Sequence, residues 1–398
     1  MVISRTPHKR AAALLSFVSL TISLVGCDVV LGIPDVEFAD GVDPGQTTPW
    51  WNADFLYRTH VEVNVPALQE PLQDVPILLA FDETKTPFMS YTLEGGLRVV
   101  DADNNPLNHE PEAFAPDGKS YLWVRVPTME SEETITLWLY HGGPPGGPQP
   151  DKTDVWRNDY LAVWHLNDNT INESVLGFHV DATGNGHVGG QNRNGYGTTA
   201  EGAIGGSQEF DGANDYIDVE ADNDLDTGHP AMTILARAYV RRNGTLASSQ
   251  LVGAGGTNNP GHYRQLFWDP SNSSWAARYW ANGQAPLVLS QSGGYDEWAV
   301  VASVYNGSEV RVYHNGVERG TQPLSGFLSP IDSFFIGGNP ALESEDGVEH
   351  DFDGYLDEVR VSTTARSSDW MLVQYQSMSD QLVTFRNTGC LGMCPPPR

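Results

Sequence analysis

The sequence predicts an all-β protein: a small β-sandwich followed by a larger two-sheet antiparallel jelly roll. Three observations carry that prediction. Short apolar runs recur along the chain, many with the strict apolar–polar alternation of a half-buried strand. The 41 glycines and 26 prolines break those runs with turn-forming residues. Helical apolar periodicity is scarce outside the N-terminus. At 398 residues the chain is too long for one ordinary domain and suggests two folded units.

The N-terminus reads as an address. Arg5, His8, Lys9 and Arg10 precede an apolar run of 15 residues, Ala11 to Val25. That run is too short to span a bilayer and suits the core of a secretory signal. It ends in Leu24-Val25-Gly26-Cys27, which resembles the lipobox of bacterial lipoproteins. The resemblance implies that residues 1–26 are removed and that Cys27 is acylated, tying the chain to a membrane. The expected place is therefore the cell envelope, at the outer membrane or cell surface rather than the inner membrane. Residues 27–49, with Asp35, Glu37, Asp40 and Asp43 among prolines, have no periodicity and read as an acidic tether.

Charge excludes one class of partner. The 22 basic and 51 acidic side chains give −29, and without the three basic residues of the signal the balance is 19 against 51, or −32. Such a chain repels phosphate backbones, so no nucleic-acid partner is expected.

Residues 50–143 form the first expected sandwich. Tyr57, Thr59, Val61, Val63 and Val65 fall on one parity, with Arg58, His60, Glu62 and Asn64 on the other. Val75–Phe81, Leu97–Val100, Tyr121–Val126 and Thr134–Tyr140 are further strands, separated by Gly- and Asn-rich turns. Trp51 to Arg58, Gly96-Leu-Arg-Val-Val-Asp101, Trp123-Val-Arg-Val-Pro127 and Leu139-Tyr-His-Gly-Gly143 resemble a bacterial domain of unknown function, number 2341, which implies no activity. Tyr140-His-Gly-Gly-Pro144 could suggest a hydrolase oxyanion loop, but no Gly-x-Ser-x-Gly elbow accompanies it. The Pro/Gly stretch 144–154 reads as a linker.

Residues 155–386 form the second unit. The strand Tyr160–Leu166 and the turn Asp181-Ala-Thr-Gly-Asn-Gly186 are followed by Gly206–Gly212, Asp215–Val219 and Met232–Val240. Trp298–Tyr305 and Val310–His314 then pair around an Asn-Gly turn, and Phe352-Asp-Gly-Tyr-Leu-Asp-Glu-Val-Arg-Val361 closes the set. In this order the motifs resemble the laminin-G-like jelly rolls of the concanavalin A-like lectin/glucanase superfamily. Thr364 to Leu382, capped near Ser367, is the best helix candidate and is expected on the sandwich edge.

The resemblance implies a structural Ca²⁺ held by Asp181, carbonyls near Gly184 and Gly186, and Asp357. The alternative is that these aspartates bind turn amides. The aromatic runs His262–Trp268 and Trp275–Trp280 supply Trp268, Arg278 and Trp280 as candidate ligand contacts, although one parity of each must face the core. Cys390 and Cys394 in the tail, residues 387–398, are expected to form a disulfide in an oxidising compartment. No strand carries the paired carboxylates of the related hydrolases, so no enzyme is expected. The expectation is a non-catalytic, lipid-anchored envelope protein that binds a polysaccharide or surface glycoconjugate. The alternative is a structural or adhesive envelope protein that binds a protein partner; a glycoside hydrolase comes third.

Overall fold

Alternation along the chain becomes alternation in space at the first strand. In the computed structural model, β1 (Tyr57–Asn64) buries Tyr57, Thr59, Val61 and Val63 and leaves the residues between them in part or full contact with solvent. Successive side chains of a strand point to opposite faces, so one parity meets the core. The structure describes residues 49–86, 96–115, 118–144, 150–168, 178–192, 199–213, 215–219, 224–225, 227–242, 249–256, 259–340, 342–343 and 350–390. The signal, Cys27, nearly all of the tether, and Cys394 lie outside them.

Among the described residues, four antiparallel sheets stack as layers. The first has the order β23 (Val383–Cys390), β1, β7 (Thr134–His141), β3 (Arg98–Asp101), β4 (Pro106–Leu107). The second contains β2 (Leu72–Phe81), β6 (Ser120–Met129) and β5 (His109–Ala113). The third runs β10 (Thr199–Ile204), β11 (Gly206–Asp211), β22 (Asp353–Ser362), β13 (Met232–Val240), β18 (Trp298–Tyr305), β19 (Glu309–His314), β20 (Val317–Pro323), with β8 (Tyr160–Trp164) also paired to β22. The fourth runs β17 (Leu287–Leu289), β16 (Ser274–Tyr279), β15 (Asn259–Asp269), β14 (Ser249–Gly256), β21 (Ser333–Ile336), β12 (Tyr216–Val219), β9 (Gly189–Asn192).

The third and fourth sheets enclose the jelly-roll core, into which β18 sends Ala299, Val301 and Tyr305. The other parity of β18, Val300, Ala302 and Val304, joins the core of the first sandwich. β6 is also used on both faces: Leu122, Val124 and Val126 fall on one parity, Trp123 on the other, and all four belong to that same core. The two sandwiches therefore share a hydrophobic core across the second and third sheets.

Three boundaries differ from the sequence reading. The stretch expected to end the jelly roll and begin a tail is β23, which pairs with β1 from Val63↔Val383 to Tyr57↔Cys390. The first sandwich is thus completed by the far end of the chain, because β1 has an open edge that only an added strand can satisfy. The end of the expected linker is ordered as a 3-10 turn, Thr153–Trp156, with Trp156 fully buried. The helix is α1 (Ser368–Met378), capped by Ser367 Oγ, which accepts from the Trp370 amide at 3.1 Å. It packs between the sandwiches and not on an outer edge: Ser377 Oγ accepts from Leu78 N–H at 2.7 Å, and Gln374 Nε2 donates to Pro76 O at 2.9 Å.

Candidate functional site: an outward aromatic patch and a buried polar cluster

Parity sorts the aromatic residues of the fourth sheet. β15 and β16 pair with Arg264 opposite Tyr279, Gln265 opposite Arg278 and Trp268 opposite Trp275. Leu266, Trp268, Trp275, Ala277 and Tyr279 all lie in the jelly-roll core. Trp268, expected as a ligand contact, is only 1% exposed and packs edge-on against Trp275 at 5.0 Å and Tyr295 at 4.9 Å. No ring face remains for a ligand. Arg278 and Trp280 take the opposite parity and are partly exposed. Tyr263 continues the register opposite Trp280: the Trp280 amide donates to Tyr263 O at 2.9 Å, and the rings are 5.9 Å apart. Phe327, 70% exposed, sits on the neighbouring loop, where Ser329 N–H donates to Trp280 O.

The expected calcium residues do not assemble. Asp181 Oδ1 accepts from the amides of Val163 (3.1 Å) and Thr183 (3.0 Å), Oδ2 accepts from the His187 amide at 3.2 Å, and Thr183 Oγ1 lies 2.8 Å from both oxygens. Gly184 and Gly186 supply the positive φ that closes this turn, +78° and +96°. Gly186 O accepts from Val188 N–H. A carboxylate saturated by donors is a turn anchor, and these residues do not fit a calcium ion.

Asp357 lies instead in a polar cluster between the second and third sheets. On β13 and β22, Leu235 pairs with Arg360 and Arg237 with Asp357, so Glu358 and Val359 together oppose Ala236. Glu358 takes φ +53°, and this bulge changes the alternation. Leu356, Val359 and Val361 enter the jelly-roll core, while Asp357, Glu358 and Arg360 are left facing the first sandwich.

There Glu358 Oε1 meets His165 Nδ1 at 2.6 Å, and its Oε2 accepts from Arg360 Nε at 3.0 Å and from the Arg360 terminal nitrogen. The Arg360 guanidinium lies over Trp123 and Trp156, 4.2 and 4.7 Å from the ring centroids. β5 contributes Glu110 and Glu112. Trp156 Nε1 donates to Glu110 at 2.5 Å and Trp123 Nε1 donates to Glu112 at 2.7 Å. Asp357 Oδ2 accepts from Ile204 N–H at 3.1 Å.

Burial and repulsion divide the carboxyls by charge. Burial and then the neighbouring Glu358 push Glu112 up to about 8, and burial with Glu358 and Glu112 pushes Asp357 well above the usual carboxylate range. Burial would also raise Glu358, but His165 and Arg360 outweigh it and hold that carboxyl at about 2. His165 is raised in turn: the Glu358 and Glu112 carboxyls overcome the burial that opposes its charge. The cluster is an internally compensated buried network closed from solvent, with Glu112 and Glu358 side chains 0% exposed and His165 11%. Glu110, Glu112, His165, Arg237 and Arg360 were not singled out from the sequence. The available signal was the acidic pair 110 and 112 in a strand, and two acids in succession at 357–358 where alternation allows one.

Comparison with known proteins agrees with the fold. Residues 211–371 match the concanavalin A-like lectin/glucanases superfamily (Laminin_G_3), and residues 94–157 match a domain of unknown function, DUF2341. No curated protein matches the chain. Among solved structures, domain 4 of AbnA, an extracellular GH43 arabinanase of Geobacillus stearothermophilus solved with arabinotriose, has 19% identity and TM-score 0.40 over 54% of this chain and 96% of its own. The binding domain of Paraclostridial Mosquitocidal Protein 1 has 12% identity and TM-score 0.40, over 55% of this chain and 52% of its own. The botulinum neurotoxin serotype G binding domain has 8% identity and TM-score 0.42, over 55% and 51%. The chain spans about half the length of these toxin domains, and likeness this distant carries no statement about what it binds. In chain order, a segment that matches DUF2341 precedes one that matches the concanavalin A-like superfamily, the order in which the two folded units were expected.

Proposed function

We propose that this is a non-catalytic, lipid-anchored envelope protein that binds carbohydrate through the outer face of its fourth sheet. The observation that carries the reading is the partly exposed Trp280, its ring 5.9 Å from that of Tyr263 and beside Arg278 on the fourth sheet. Flat aromatic rings stack on sugar faces, and a guanidinium beside them offers a fork of donors to hydroxyl or carboxylate oxygens. The reading is supported by the burial of Glu112, Asp357 and Glu358 in the polar cluster between the sandwiches, away from the proposed carbohydrate face. The signal and Cys27 supply the envelope address, and a Cys390–Cys394 disulfide would staple the end of β23.

The test is titration of the full chain in detergent against a polysaccharide panel. Trp280→Ala is expected to weaken binding about tenfold, roughly 1.4 kcal/mol, and Arg278→Ala to weaken it further for acidic glycans. Absence of binding to every polysaccharide, from a folded sample, would refute the reading. A second reading, adhesion to a protein, is favoured by the exposure of Phe327 next to Trp280. A protein partner lost on Phe327→Ser, with no glycan bound, would establish it.

A further inference from the structure

We propose that Glu112, His165 and Glu358 form a binding site for a divalent first-row transition cation that clamps the two sandwiches together. The site lies apart from the proposed carbohydrate face and does not depend on that reading.

The three donors come from different parts of the chain: β5, the residue after β8, and the bulge of β22. His165 Nδ1 lies 2.6 Å from Glu358 Oε1 and 3.8 Å from Glu112 Oε2, and all three donor atoms fall within 4.8 Å of one another. A tetrahedral ion with bonds of about 2.1 Å holds its ligands about 3.4 Å apart. Loading therefore asks the His165–Glu358 contact to open and the His165–Glu112 contact to close, each by less than an ångström.

Independent of the three donors, Asp357 Oδ1 is fully buried with no hydrogen-bond partner among the described residues. It sits at the same corner as Glu112: Ile204 N–H donates to Asp357 Oδ2, and a Cβ on Gly205 would stand 2.6 Å from Glu112 Oε1. Asp357 lies beside the three donors, outside their mutual 4.8 Å reach, and adds an unpartnered carboxyl oxygen to the wall of the site.

An outer shell is already built. His165 Nε2 faces Glu110 Oε2 at 3.4 Å, the carboxylate partner that fixes a ligating imidazole. Trp156 orients Glu110, Trp123 orients Glu112, and Arg360 holds the far oxygen of Glu358. An imidazole nitrogen among carboxylates disfavours Ca²⁺ and Mg²⁺, and without a thiolate the set suits Zn²⁺ or Mn²⁺.

The test strips the full chain in detergent with a chelator, reloads it with Zn²⁺ or Mn²⁺, and reads bound metal by elemental analysis alongside the unfolding temperature. One equivalent retained and a raised unfolding temperature are expected. Glu112→Gln should keep the stripped protein's unfolding temperature but lower metal affinity at least tenfold; Glu209→Gln, outside the cluster, should change neither. Should Glu112→Gln fail to fold, anomalous scattering from loaded wild-type crystals decides, with a peak expected between His165 Nδ1 and Glu358. No metal retained by the wild-type chain, equal retention by Glu112→Gln, or an anomalous peak elsewhere would overturn the proposal.

Discussion

Replacing Arg360 with Met tests whether the buried cluster is compensated as the geometry implies. The methionine keeps an apolar stem between Trp123 and Trp156 and removes the guanidinium, leaving His165 as the only charged partner in contact with Glu358. The Glu358 carboxyl is held at about 2, against 4.5 in an unfolded chain. Its folded pKa is depressed, so its stabilisation is complete above pH 4.5 and is lost as pH falls toward 2. At about 1.4 kcal/mol per pH unit, the gap corresponds to about 3 kcal/mol at neutral pH. Removing one partner of a buried pair typically costs about 3–5 kcal/mol, because the other charge stays behind in a poor solvent. We expect Arg360→Met to lose about 3 kcal/mol at pH 7 in urea unfolding with chelator present. That deficit should shrink as pH falls below 4. A loss under about 1 kcal/mol, or a deficit that does not change in acid, would refute the reasoning.

Further outcomes follow from the shared core and from local constraints. Calorimetry should show the two sandwiches unfolding in one transition, since Val300, Ala302 and Val304 of the jelly roll lie in the first sandwich's core; two well-separated peaks would contradict it. Truncation after Leu382 removes β23 and exposes the edge of β1, and should yield aggregated chain by light scattering; a monodisperse product would count against that. Burial lowers His109 to about 4, so the unfolded chain takes up a proton that the folded one refuses. His109 alone should contribute a fall of about 3 kcal/mol in stability as pH drops from 6.5 to 4, read as the difference between the pH profiles of the wild type and His109→Gln. At Gly354, with φ +154°, a Cβ would stand 1.9 Å from Tyr239 O. Gly354→Ala should therefore cost more than the roughly 1 kcal/mol of an ordinary substitution, read as a lowered urea midpoint.

Several of these features were legible before any coordinates. The alternation of Tyr57 to Val65 identified β1 and its buried parity, and Ser367 marked the helix cap. Val75–Phe81 and Trp298–Tyr305 are apolar on both parities, which signals burial on both faces. That was the trace of the shared core, but a buried strand reads the same whatever covers its second face. Trp268 and Trp280 looked alike as aromatic residues, and only the register of β15 with β16 put one in the core and left the other partly exposed.

The sequence by itself determined the all-β class and the order of the two modules, because strand periodicity and turn residues act over a few neighbours. Tertiary structure alone decided the rest. The pairing of β23 with β1 joins residues over 300 positions apart, and no local pattern encodes a partner at that distance. The bulge at Glu358 sends two successive acids to one face, where residues from β5, β6, β8's end and β13 meet them. Whether a buried carboxylate needs a cation or already has its donors depends on which groups converge around it. Asp181 found its donors within its own turn and on the adjacent strand β8, whereas Glu112, His165 and Glu358 became neighbours only when the two sandwiches packed.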